Sequence, residues 1–229
     1  MVSQLMFGEP VVIDEHLGNW MKVTTIYDNY TGYVDSKHIR TYSEEAHKNW
    51  LNDLTFQSEI IKKIKGPNGE MWITRGAFIT KFNSSNFSVG RDNYLYDSND
   101  ENESFDILEI ASDYINSPYL WGGKSPFGID CSGFTQTIFR LLKIELPRDA
   151  YQQFDLGTSV DFGSIEKGDL AFFKSTEGKI IHVGICDGDG RIIHASGWVR
   201  WDKLMLEGII HHELSIKTHT LAGIKRLIK

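Results

Sequence analysis

Residues 128–134 read GIDCSGF and set one cysteine, Cys131, between an acid, Asp130, and a hydroxyl, Ser132. A thiol in that company is a packed core group, a metal ligand or a nucleophile. The metal reading lacks ligands, because the chain has two cysteines, Cys131 and Cys186, and neither a CxxC nor an HExxH pattern. Two cysteines are also too few for a disulfide framework. A nucleophile needs thiolate character, which a helix N-terminus favours through its dipole and unpaired N–H groups. Phe134, Ile138 and Leu141 recur at helical spacing, so a helix is predicted from Cys131 to Leu142, stopped by Pro147, with the sulfur at its head.

The nucleophile also needs a base within hydrogen-bond reach, held by a third polar group. HVGICDGDGRIIH, residues 182–194, reads as a hairpin turning at Asp187-Gly188-Asp189-Gly190. A turn centred on Gly188 sets His182 opposite His194 on one face, with Cβ atoms about 4.5–5.5 Å apart. A slip of one residue would send one of them to the other face. One imidazole then takes the Cys131 proton while the second orients its ring, the arrangement of a Cys-His-polar hydrolase. The chain has eight histidines, and a single one is ordinarily a surface or satisfied core residue. The pair on one hairpin behind a helix-start cysteine is what points to catalysis. Upstream, Tyr119 and Trp121 in SPYLWGG have the ordinary reading of core aromatics, while Gly122 and Gly123 leave the backbone open to a ligand. Cys186 ends an apolar strand and reads as a small core residue; Trp198 and Trp201 suit a groove lining or packing equally.

Those residues need elements to hold them. PVVIDEHLGNWMKVTT alternates about HLGN as a hairpin and YTGYVDSKHI follows as another strand, so about five short strands and a small barrel are expected over residues 1–42. A short helix is predicted over 43–50, then strands about the turn Gly66-Pro67-Asn68-Gly69, in a second unit over 43–100. YDSNDENES, residues 96–104, is acidic and polar and marks a domain boundary, leaving 101–229 as the third domain. There Ile107, Ile110, Ala111 and Tyr114 give a helix ending before Pro118. Strands at 169–173, 179–186, 191–196 and LAGIKRLI follow the Cys131 helix, making an α+β domain.

Composition narrows the function classes. The net charge of −7 and a pI near 5.6 argue against nucleic acid as a partner. No apolar run approaches the roughly 20 residues that span a bilayer. The start, MVSQLMFGEP, lacks a basic n-region and an apolar h-region, so no signal peptide is expected. That start fits the cytoplasm for a complete chain and the periplasm or exterior for one whose leader has been removed. No cofactor motif is present and none is expected; a monomer is expected.

Tyr119-Leu-Trp121-Gly-Gly, Asp130-Cys131-Ser132-Gly133-Phe134, Pro147-Arg148-Asp149, Gly168-Asp169-Leu170, His182-Val-Gly-Ile and His194-Ala, in this order, resemble the NlpC/P60 family of cell-wall cysteine peptidases over roughly residues 105–229. The N-terminal half resembles the bacterial SH3 domains that precede such peptidases, with residues 51–95 similar to a second, divergent copy and the first barrel short by a strand. The resemblance implies a papain-like fold, helices packed on an antiparallel sheet, behind one or two small SH3-like barrels. It implies Cys131 as nucleophile, His182 as general base, His194 as the residue orienting it, and Tyr119 joining the Cys131 N–H at the oxyanion. It places Asp130, Ser132, Trp121 and Arg148 against substrate, with Asp130 suited to a free α-amine. Relatives often carry a hydroxyl where this chain has Ala150, which removes one contact to a D-glutamate carboxylate. The implied partner is a murein peptide or peptidoglycan and the implied reaction is cleavage of a γ-D-glutamyl–diamino acid bond. The SH3 domains would wall off one end of the groove and favour short peptides with a free N-terminal L-Ala, with Glu9, Tyr33 and Tyr42 as the barrel residues to consider. A non-catalytic wall-binding module, and an amidase or acyl transferase on the same scaffold, stay open beside it.

Overall fold

The computed structural model describes residues 1–80, 86–90, 92–96 and 106–228. Contacts divide the chain into two units, residues 4–104 with Val2 and residues 105–229 with Met1 and Ser3. The acidic stretch expected to be the boundary lies, Tyr96 aside, outside the described residues.

In the N-terminal unit, β1 (Val11–Leu17), β2 (Trp20–Thr25) and β3 (Thr31–Asp35) form a three-stranded antiparallel sheet in that order. Three strands replace the five expected among residues 1–42. The chain before Val11 runs as turns and irregular backbone, and Ser36–His38 forms a 3₁₀ turn capped by the Asp35 carboxylate. Helix α1 (Glu44–Asn52) starts at Ser43, whose hydroxyl accepts the Ala46 N–H. Beyond it, β4 (Leu54–Phe56) pairs with β7 (Phe78–Thr80). A second sheet takes β5 (Ile61–Gly66), β6 (Gly69–Thr74), β8 (Asn86–Val89) and β9 (Asp92–Leu95) in the order β6-β5-β9-β8. Ile64, Ile73, Ile79 and Phe87 close its core. An N-terminal SH3-like region of small strand units followed by a mixed α+β domain is therefore the architecture.

The C-terminal unit opens with α2 (Ile107–Ser112), capped by the Asp106 carboxylate. The short pair β10 (Lys124–Ser125) and β11 (Gly128–Ile129) leads into α3 (Cys131–Leu141), and α4 (Ala150–Phe154) follows. Helix α3 packs against the strands Ile180–Cys186 and Arg191–Ser196, and all eleven of its residues are buried, so it is a central helix rather than one with a single inner face. It stops because Lys143 turns left-handed at φ 60°, before Pro147 is reached.

Seven strands complete the unit: β12 (Thr158–Ser159), β13 (Leu170–Lys174), β14 (Ile180–Cys186), β15 (Arg191–Ser196), β16 (Trp198–Met205), β17 (Gly208–Ile210) and β18 (Lys217–Arg226). They run in the order β12-β18-β13-β14-β15-β16-β17, and β17 pairs back onto β18, closing six strands into a barrel. Ala171, Phe173, Cys186, Ile192, Leu204 and Ile224 cluster as one core, one face of each strand contributing. Cys186 is fully buried in that cluster, as a small core residue should be.

Candidate active site

The period of two along a strand decides what else shares the barrel core. Cys186, Gly184 and His182 alternate along β14; Ile192 and His194 do so along β15; Leu204, Asp202 and Arg200 do so along β16. His219 pairs with Ile209, a member of the same core, across β17 and β18. Toward one end of each strand the apolar series thus gives way to imidazoles, a carboxylate and a guanidinium.

The hairpin register differs from the sequence expectation. Cys186 pairs with Ile192 and Ile185 with Ile193, so the turn centres on Asp189 rather than Gly188. Asp187 explains the shift: its carboxylate accepts N–H bonds from Asp189 and Arg191 and builds a longer loop. His194 therefore sits opposite Gly184, and His182 lies diagonal to it. An offset of two residues preserves the face, and the rings meet: His182 Nε2 is 2.8 Å from His194 Nδ1. His194 Nε2 in turn lies 3.0 Å from Asp202 Oδ2, with the His194 and Asp202 side chains fully buried. Asp202 also accepts bonds from Arg200 Nε at 3.0 Å and the His212 N–H at 2.9 Å. His219 stacks on His182 with ring centroids 4.3 Å apart.

Cys131 opens α3, whose cap is Asp130: one carboxylate oxygen accepts the Gly133 N–H at 2.7 Å and the other the Gly122 N–H at 2.7 Å. The Val183 and Ser132 N–H groups donate toward the Cys131 sulfur, which places it beside the His182–Val183 peptide. Gly123 is required by the fold of the chain itself. A side chain on Gly123 would meet the Gly128 carbonyl oxygen at 2.2 Å, so the loop folds onto itself here.

Arg148 is 1% exposed and its guanidinium grips Asp130 with both nitrogens, at 3.0 and 2.6 Å, while Nη1 also donates to Ser132 Oγ at 2.9 Å. In the structure the cation is buried and holds Asp130 and Ser132. Asp130 and Ser132 are likewise 6% exposed each and engaged in this cluster, so they act first as the cap and brace of the cysteine loop. Tyr119 is half-buried beside Cys131, and Trp121 is exposed. Trp198 and Trp201 each stack under an arginine, Arg200 and Arg191, with the cation 4.9 Å from the ring.

The electrostatics correct the expected thiolate. Burial pushes the Cys131 thiol up to about 12, Asp130 adding to the rise and the two N–H groups opposing it. Burial also holds His182 well below the usual imidazole range, with His194 and His219 adding to the effect. His219 is lowered to about 4, chiefly by burial. Burial likewise lowers His194, against the pull of Asp202, so the His194–Asp202 contact is a neutral imidazole donating to a carboxylate. Asp202 itself is lowered: burial opposes ionisation, but hydrogen bonds from His194 and His212 outweigh it. At rest Cys131 is thus a thiol and His182 a neutral imidazole. Burial and the adjacent sulfur push the Tyr119 hydroxyl up to about 12, which keeps it a proton donor.

Asp202 and His219 escaped the sequence reading, as did β16 and α4. The capping-box pattern Asp149…Gln152 marks the start of α4, and both its bonds form. Asp202, His211 and His212 bring ligand-type atoms within 4.8 Å of one another. The Asp202 oxygens already hold His194 Nε2, Arg200 Nε, the His212 N–H and His212 Nδ1, the last at 3.0 Å.

Residues 116–216 match the model of the NlpC/P60 family, and residues 1–39 match that of the bacterial dipeptidyl-peptidase Sh3 domain. The chain is 27% identical to a gamma-D-glutamyl-L-lysine dipeptidyl-peptidase of Bacillus cereus and 28% identical to a protein of that name from Bacillus subtilis, each match taking 84% of this chain. It spans 66% and 71% of the lengths of these two relatives. A crystal structure of an NlpC/P60 family protein from Bacillus cereus superposes with a TM-score of 0.79 at 26% identity, covering 98% of this chain and 81% of that one.

Proposed function

From a chain that carries an NlpC/P60 peptidase domain behind a bacterial SH3 domain, we propose a cysteine peptidase that cuts the γ-D-glutamyl–diamino acid bond of murein stem peptides. The observation that carries the reading is the linked series His182, His194 and Asp202 beside the Cys131 sulfur, which the Val183 N–H next to His182 reaches. The relatives named for γ-D-glutamyl-L-lysine cleavage support the substrate class.

In the proposed reaction the Cys131 thiol gives its proton to His182 as the sulfur attacks the γ-carbonyl carbon. Proton transfer accompanies attack because neither partner is charged beforehand. The carbonyl π pair moves to oxygen, and the oxyanion is met by the Cys131 N–H at the helix head and the Tyr119 hydroxyl. The oxyanion collapses, the C–N bond breaks, and the diamino acid leaves with the proton held by His182. Water then loses a proton to His182 and adds to the thioester carbon. The acid is released and the thiol restored, without need of a cofactor. Trp121 offers an exposed ring to the substrate beside the cysteine loop.

The test is digestion of L-Ala-γ-D-Glu-diamino acid peptides, with free and blocked N-termini, by wild-type and Cys131→Ala protein. Cleavage by wild type alone is expected, with the free peptide preferred. Full activity in Cys131→Ala ends the proposal. Equal cleavage of free and blocked peptides removes recognition of the α-amine.

A further inference from the structure

We propose that Asp202 is a positioning residue that fixes the tautomers of both site histidines, so that His182 presents a bare Nδ1 to the thiol; this deepens the peptidase reading above and rests on it. Asp202 is fully buried as a side chain, ionised, and surrounded by hydrogen-bond partners: Arg200 Nε on Oδ2, and both the His212 N–H and the His212 Nδ1 on Oδ1. An ionised carboxylate only accepts, so the His194 Nε2 at 3.0 Å must carry a hydrogen. A neutral His194 protonated at Nε2 has a lone pair at Nδ1. That lone pair faces His182 Nε2 at 2.8 Å, which must therefore carry its hydrogen there. What remains on His182 is Nδ1 with a free lone pair. It is also the ring nitrogen nearer its own backbone, and the Val183 N–H that reaches the Cys131 sulfur belongs to the next residue. The carboxylate thus sets, two hydrogen bonds away, which nitrogen can take the proton.

Strand geometry explains why this residue can do so. His194 pairs with Arg200 and Ile192 with Asp202 across β15 and β16, so Asp202 lies diagonal to His194 on the same face. Arg200 also donates to the Ser196 carbonyl and stacks on Trp198, contacts that the side chain can keep if it leaves Oδ2. Neither oxygen of Asp202 is free to turn away.

The experiment compares Asp202→Asn with Asp202→Ala and reads both kinetics and histidine ¹⁵N resonances. In Asp202→Asn the amide nitrogen must replace one oxygen. The main-chain N–H of His212 cannot withdraw, whereas the Arg200 side chain can, so the NH₂ turns toward His194. His194 then keeps its hydrogen on Nδ1, donates it to His182 Nε2, and forces the His182 hydrogen onto Nδ1, where the thiol proton can no longer go. The expected loss in kcat is on the order of 10³–10⁴-fold with KM little changed. Asp202→Ala removes the constraint without inverting it, so its kcat falls less. A packing role gives the opposite order, because Ala leaves a cavity and strands Arg200. Asp202→Asn activity equal to or above that of Asp202→Ala overturns the proposal. Long-range ¹H–¹⁵N spectra of the wild-type protein at pH 7 should show His182 and His194 both protonated at Nε2 only, a readout independent of any activity and of any variant folding. His182 protonated at Nδ1, or as imidazolium, overturns it. Failure to cleave murein peptides with these tautomers intact would sink the peptidase reading and leave the assignment of Asp202 standing.

Discussion

A Cβ placed on Gly184 would lie 2.8 Å from the Cβ of His194, closer than side chains on neighbouring strands normally approach. The missing side chain at 184 is what lets the His194 ring sit inside the barrel and reach both His182 and Asp202. Gly184→Ala should therefore push His194 out of line, with a stability cost of about 1–3 kcal/mol from overpacking and a loss in kcat of about tenfold or more. Gly163→Ala is the control, since nothing lies within 4 Å of its Cβ position and its backbone is unstrained. Peptide-cleavage kinetics and thermal melts of the two variants check this; equal kcat in both would contradict the role given to Gly184.

The Asp130–Arg148 pair should behave as a buried ion pair whose members cannot be removed singly. With side chains 8% and 1% exposed, replacing Arg148 by Met leaves a carboxylate uncompensated and should cost about 3–5 kcal/mol. Asp130→Asn in the Arg148→Met background should recover a large part of that loss. Urea denaturation of the single and double variants measures it, and strict additivity would contradict the coupling.

Stability should fall with acid before the carboxylates titrate. His182 and His194 have folded-state pKa values lowered from about 6.5, so the unfolded chain binds protons that the folded protein refuses. Their contribution is intact above pH 6.5 and lost progressively as the pH drops below it, by up to about 1.4 kcal/mol per pH unit for each ring. Urea midpoints at pH 8, 6.5 and 5 should be flat over the first interval and drop over the second. A midpoint unchanged between pH 6.5 and 5 would mean that the rings are protonated in the folded state.

Alkylation of free Cys131 by iodoacetamide should be slow at pH 7 and climb about tenfold per pH unit up to pH 10, because the resting group is a thiol with a pKa near 12. Mass spectrometry of the labelled peptide follows the rate. A plateau reached by pH 7 would show a preformed thiolate instead. Cys186, fully buried, should not react at any of these pH values.

Part of this site could be read from the sequence because the signals were local. The run after Asp130 has helix periodicity and a cap, and two histidines flank one glycine-rich turn at a spacing that keeps them on one face even when the turn shifts by a residue. Asp202 could not be read that way. Along β16 the inward positions include Arg200 and Asp202 while Val199 and Trp201 occupy the other face, so the usual alternation of apolar-in and polar-out is inverted where the site lies. His219 was missed for a related reason: the apolar texture of β18 begins at Leu221, but pairing with β17 starts at Lys217. Three strands rather than five in residues 1–42 reflects turn-rich segments at both ends that read as extended but find no ladder partner.

Barrel closure carries a temporal consequence. His182 is flanked by a ring from β18, the last strand in the sequence, which pairs with both β13 and β17. A chain emerging from the ribosome holds Cys131 and both hairpin imidazoles long before residues 217–226 are free to seal the cylinder. The ring that stacks on His182 is thus supplied by the last strand of the chain to be synthesised.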